Sequence, residues 1–154
     1  MAPGAFTLFN IGKERWFDST FDWTGAQQNT FYAELLKQPY TIDATDSIWS
    51  DLSAQVVTDG DYAPELIATA NMVVNGGTST ATGNIDYSTD VDFGPSVTIE
   101  AKFMVLRTGP ATPTGAEKLL GVVDLDAASA TATVSSTNGD FKITPHANGF
   151  FTFA

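Results

Sequence analysis

The sequence predicts an all-β protein, a β-sandwich or jelly-roll-like single domain with one or two short helices. Three observations carry that expectation. In residues 96–106, Val97, Ile99, Ala101, Phe103 and Val105 alternate with Thr98, Glu100, Lys102, Met104 and Leu106, the period of two that places successive side chains on opposite faces of a strand. Residues 119–126, Leu-Leu-Gly-Val-Val-Asp-Leu-Asp, form a short apolar run of the kind found in buried strands. Turn residues punctuate the chain about every ten positions, which suits about seven to nine strands in a sandwich.

Taken in order, residues 5–11 suit a short strand and residues 12–17 a turn of helix. Residues 1–10 are thus an N-terminal arm or edge strand of one domain spanning 1–154. In residues 31–37, Tyr32, Leu35 and Leu36 fit helical spacing, yet the run also fits a strand buried on both faces. Pro39 ends that element either way, because proline disfavours helix in the residue before it. Residues 46–53 read as a two-turn helix capped by Asp46 or Ser47, with Ile48 and Leu52 on one face.

Asp59-Gly60-Asp61 provides turn chemistry, residues 66–75 a strand, and the small polar tract 78–83 a surface loop or hairpin tip. The alternating strand 96–106 is expected to bury its Val97-to-Val105 face. On the other face, Glu100 and Lys102 should meet water, while Met104 and Leu106 lie under cover at the distal end. Pro110 and Pro113 make a loop, and the strand from 119 is expected to return antiparallel beside it. Residues 127–137 are strand-compatible at Thr131, Thr133 and Val134. Residues 139–144 and 150–153 read as the last strands, so the apolar final segment is expected to be built into the fold.

Composition narrows the function classes. With 154 residues, 43% of them hydrophobic, the chain suits one packed core and excludes a disordered polymer. Charged residues are only 16%, low enough to suggest that a partner covers some uncharged surface. The net charge of −11 opposes nucleic-acid binding, since phosphates would be repelled. With no cysteine there are no disulfides, thiolate metal sites or cysteine nucleophiles. The first residues lack a basic n-region with a long apolar core, and no run approaches a membrane span, so no membrane is expected and synthesis in a host cytoplasm is.

Little in the residues points to catalysis, a cofactor or a metal, and none is expected. His146 is the single histidine and stands in a Pro/Asn/Gly-rich turn, without the Gly-x-Ser-x-Gly elbow of a serine hydrolase. The pairs Asp59/Asp61, Asp90/Asp92 and Asp124/Asp126 are fragments of a calcium loop without its remaining ligands. A glycosidase needs two carboxylates held in a cleft, which spacing does not establish. Gly76-Gly77 lacks the lysine and helix of a phosphate loop. The candidate partner interface is aromatic: Phe6, Phe9, Trp16, Trp23 and Trp49, residue types that serve either a core or an interface.

The strand Leu119 to Asp126, the Gly139-Asp140-Phe141-Lys142-Ile143 segment and the final Gly149-Phe150-Phe151-Thr152-Phe153 resemble the C-terminal half of small virion structural proteins of tailed bacteriophages. Phe6-Thr7-Leu8-Phe9-Asn10 with Lys13-Glu14 resembles the first strand and turn of that group, whereas residues 40–94 match loosely. The resemblance implies a strand at 31–37 and a non-enzymatic capsid decoration or cement protein. Its partner would be the major capsid protein or another virion protein, its place the virion head surface, and its state a homo-oligomer. The alternatives are a tail or neck component and, from another class, a carbohydrate-binding β-sandwich module.

Overall fold

A computed structural model of the protein describes residues 4–18, 30–58, 61–67, 72–75, 83–87, 89–144 and 151–153. The all-β expectation is met. Twelve strands occur among them: β1 (Thr7–Leu8), β2 (Phe31–Leu36), β3 (Glu65–Ile67), β4 (Met72–Asn75), β5 (Gly83–Tyr87), β6 (Val91–Asp92), β7 (Val97–Ala101), β8 (Phe103–Thr108), β9 (Leu119–Asp124), β10 (Val134–Gly139), β11 (Lys142–Ile143) and β12 (Phe151–Phe153). Two short helices, α1 (Asn10–Phe17) and α2 (Trp49–Leu52), accompany them, the second running on into a 3₁₀ turn at Ser53–Gln55. Every ladder is antiparallel. The largest sheet has the order β1-β9-β8-β2-β3; β7 pairs with β10, β6 with β11, and β5 lies between β4 and β12.

The five-stranded sheet is covered on both faces, which explains the continuous apolar runs of its central strands. One face sends Phe31, Ala33, Leu35, Met104, Leu106 and Leu120 into a core shared with Val91, Val97, Ile99, Ala101 and Val134 of the smaller ladders. The other sends Leu36, Phe103, Val105, Leu119 and Val122 against Phe9, Trp49 and Leu52. Residues 31–36 are therefore a strand buried on both faces. In β9, Leu120 has no opposite partner, because Leu106 pairs with Gly121 and Arg107 with Leu119. Such a bulge adds one residue to a strand and breaks its alternation, so Leu120 and Val122, two positions apart, serve different cores.

Two glycines let the N-terminal segment approach this strand. A Cβ on Gly121 would collide with the Phe6 ring and lie 2.7 Å from the Thr7 carbonyl oxygen. One on Gly12 would collide with the Leu120 carbonyl, so α1 rests on β9 at a distance only glycine permits.

Several expectations need correction. Residues 96–106 are two strands, broken at Lys102. There the chain leaves the β7–β10 ladder for the five-stranded sheet: the Lys102 N–H donates to the Leu36 carbonyl and its own carbonyl accepts from Leu125. The change of layer reverses the faces. Val97, Ile99 and Ala101 serve the first core, Phe103 and Val105 the second, while Met104 and Leu106 turn back into the first. Lys102, expected in water, is 1% exposed, whereas Glu100 is exposed as expected.

Residues 66–75 contribute to two strands in different sheets, since an apolar run does not name its hydrogen-bonding partners. Residues 139–144 are likewise divided: β10 ends at Gly139 and β11 begins at Lys142. These breaks raise the strand count above seven to nine. The helix at 46–53 starts later than expected, with Ile48 at its N-cap. Asp46 instead accepts the Tyr40 hydroxyl (2.7 Å), and it is Asp51 that accepts the N–H groups of Ser47 (2.9 Å) and Ile48 (3.1 Å). Asp59, Gly60 and the tract 78–82 lie outside the described residues.

Candidate functional site

The most elaborate polar arrangement among the described residues is centred on Arg107. Alternation along β8 puts Arg107 on the face of Phe103 and Val105, and the β2–β8 register sets Tyr32 opposite Arg107 and Glu34 opposite Val105. An arginine forced into an apolar layer needs every donor satisfied. Its Nε (2.8 Å) and Nη2 (2.5 Å) donate to Glu34 Oε1, Nη1 donates to the carbonyls of Thr108 (3.2 Å) and Pro110 (2.7 Å), and Nη2 to that of Ala111 (2.9 Å). The guanidinium carbon also lies 5.1 Å from the Tyr32 ring centre and 5.3 Å from that of Trp49, within cation–π range.

Glu34 is equally engaged. Its Oε2 accepts the Tyr62 hydroxyl (2.8 Å), and that hydroxyl accepts the Leu35 N–H (2.8 Å) where β2 runs beyond the residues paired with β3. Burial pushes the Glu34 carboxyl upward against the pull of Arg107. Burial, reinforced by the Glu34 charge, also holds the Tyr62 phenol above its ordinary range, so it stays a hydrogen-bond donor.

Arg107 fastens one side of the connection between β8 and β9; Glu117 fastens the other. Glu117 Oε1 accepts the Thr114 N–H and hydroxyl (both 2.7 Å), and Oε2 accepts the Gly115 N–H (2.8 Å). Burial alone would raise this carboxyl, but the donors from Thr114 and Gly115 outweigh it and bring the pKa down to about 2. The start of α2 adds two bonds, from the Trp49 N–H to the Glu117 carbonyl (2.9 Å) and from the Ser50 N–H to the Gly115 carbonyl (3.0 Å). Gly109 and Gly115 have φ of 99° and 104°, where a side chain is strained. Loop carbonyls thus meet a cation and a helix start, and loop amides meet an anion. The outer residues Pro110, Ala111, Thr112, Thr114 and Ala116 are exposed and uncharged.

A second buried cation, Lys102, holds the far end of β9. Its ammonium reaches Asp124 Oδ1 (2.7 Å) and the carbonyls of Asp126 and Ser129 (both 2.6 Å), using its three donors. Two surface clefts are also present. One of about 270 Å³ is lined by Lys37, Gln38, Val57, Thr58, Glu100 and Thr133; the other, of about 310 Å³, lies along Leu125, Val134, Phe141 and Ile143.

The aromatic residues singled out from the sequence do not assemble into one surface. Phe9 is 1% and Trp49 4% exposed, so both belong to the second core and present no face to a partner. Phe6 is half-buried against the first core. Trp16 lies in α1, while Trp23 and His146 lie outside the described residues. Of the carboxylate pairs, Asp124 holds Lys102, and Asp92 pairs on the surface with Lys142 at 3.1 Å. Among the described residues no group of three or more His, Asp or Glu is placed to hold a metal ion, and no helix is long and apolar enough to cross a membrane.

Glu34, Lys102, Arg107 and Glu117 escaped the sequence reading as functional groups. The available signal was an ionisable residue inside an apolar run, as in Phe31-Tyr32-Ala33-Glu34-Leu35-Leu36. No protein-family model matches the chain, and neither a curated protein nor a solved structure matches it.

Proposed function

We propose that this chain is a non-enzymatic structural protein of a virion, a decoration or cement protein bound to the head shell through the major capsid protein. The observation that carries the reading is the use made of buried charge. Arg107, Glu34, Lys102 and Glu117 all hold strands and loops to one another, an arrangement suited to a rigid building unit. The resemblance to small virion proteins of tailed bacteriophages points the same way, and a net charge of −11 keeps such a unit off packaged DNA. A protein that binds only the assembled lattice stabilises it by mass action. With Phe9 and Trp49 withdrawn into the core, the docking surface must be sought elsewhere.

A carbohydrate-binding role has one observation in its favour, the cleft lined by Lys37, Gln38, Thr58, Glu100 and Thr133. Among the described residues no aromatic ring lines it, which weakens the case for the usual apolar platform for a sugar. The decisive experiment is immunogold labelling of purified virus particles from the source of the gene. Label over the heads supports the cement role, and label confined to the tail or neck replaces it with the tail alternative. Absence from particles together with retention on a glycan array would sink the virion reading in favour of the binding module.

A further inference from the structure

We infer that loop 109–116 is a preformed docking element for an uncharged surface of the shell protein; the inference rests on the virion reading above. Antiparallel neighbours need only about 2–5 residues to connect them, yet residues 109–118 stand between β8 and β9. The excess forms no strand. It is held instead by Arg107 bonds to the Pro110 and Ala111 carbonyls, three donors to Glu117 and two N–H groups at the start of α2.

Fixing a solvent-facing loop with two buried ions is costly, because each ion must leave water. The return expected from such an investment is in binding: a loop already ordered loses little conformational freedom when it docks. Pro110 and Pro113 restrict the backbone further.

The chemistry of the loop names the kind of partner. From Thr108 to Ala116 there is no charged residue, and the exposed groups are a proline ring, methyls and threonine hydroxyls. These fit a neutral protein surface with shallow apolar pockets and hydrogen-bonding groups. A second copy is disfavoured as the occupant, since it would bring two bodies of charge −11 together.

The test is rebinding of the purified full chain to heads stripped of it, followed by co-sedimentation. Thr112→Trp and Ala111→Glu, both at exposed positions, should weaken attachment at least tenfold with circular dichroism and melting temperature unchanged. Thr98→Trp, on exposed β7 surface, should bind like the wild type. Glu117→Gln, which loosens the loop without touching its outer face, should weaken attachment by a smaller factor. If a loop variant fails to fold, amide exchange of wild-type Ala111, Thr112 and Ala116 on bound heads reads the same contact, with slowing expected. Wild-type binding with undiminished binding by the loop variants, or unslowed exchange, overturns the docking loop and leaves the virion reading intact. Loss of self-association with unchanged attachment overturns it in favour of a second copy. Failure of the wild type to bind heads or tails defeats the virion reading, and the docking loop with it.

Discussion

The two buried cations flank the same strand yet hold it in different ways. Lys102, just before β8, presents a compact ammonium to one carboxylate and two carbonyls at the turn after β9, and its partner Asp124 is 22% exposed. Arg107, near the end of β8, spreads five N–H donors over Glu34, the Thr108 carbonyl that ends the strand and two loop carbonyls, and both members of the ion pair are almost wholly buried, at 0% and 3%. A point charge suffices where a turn converges on one spot; a planar fork is needed where a sheet and a loop meet. The arginine node therefore has more to lose when one member is removed.

The largest expected effect follows from that difference. Arg107→Met should cost about 3–5 kcal/mol, because it strands Glu34 in the core and frees three carbonyls, two of them in the loop. Arg107→Lys should recover little of this, lacking the five-donor fork. Urea midpoints would measure both, and full rescue by lysine would reduce the node to simple charge balance. Replacing Arg107 and Glu34 together with apolar residues should be milder than Arg107→Met alone.

Next comes Lys102→Met, expected to cost about 2–3 kcal/mol, since Asp124 can turn to water and only two carbonyls lose a donor. A loss equal to that of Arg107→Met would erase the distinction between the two cations.

Glu117 sharpens the comparison through pH. Its carboxyl is about 2 in the folded chain against an ordinary 4.5, so the stability it adds is present above the unfolded value. That contribution is lost as pH falls from about 4.5 towards 2, because the unfolded chain takes up the proton first. Glu117→Gln should cost about 1–2 kcal/mol at neutral pH. Between pH 4.5 and 2 the gap from wild type should narrow, as followed by thermal melts; a constant gap would remove the carboxylate's role. The smallest effect is expected at exposed Glu100, whose Oε1 accepts only the Thr133 hydroxyl among the described residues. Glu100→Ala should stay within about 0.5 kcal/mol in the same assay.

Local pattern by itself determined the all-β class, the alternation of β7, the apolar run of β9 and its antiparallel return beside β8. These depend on side-chain period and turn chemistry, which act over a few residues and are written directly in the chain. What only the tertiary structure decided was where a strand changes layer and which ionisable groups meet. The alternation from Val97 to Val105 continues unbroken through Lys102, yet the chain passes there from one ladder to another and its faces exchange cores. Likewise Glu34 and Arg107 are 73 positions apart, and nothing local to either one announces the other. Phe9 and Trp49, interface candidates by residue type, instead cover the second face of the sheet. Period states which residues share a face; only packing against distant segments decides whether that face meets water, a partner or the rest of the chain.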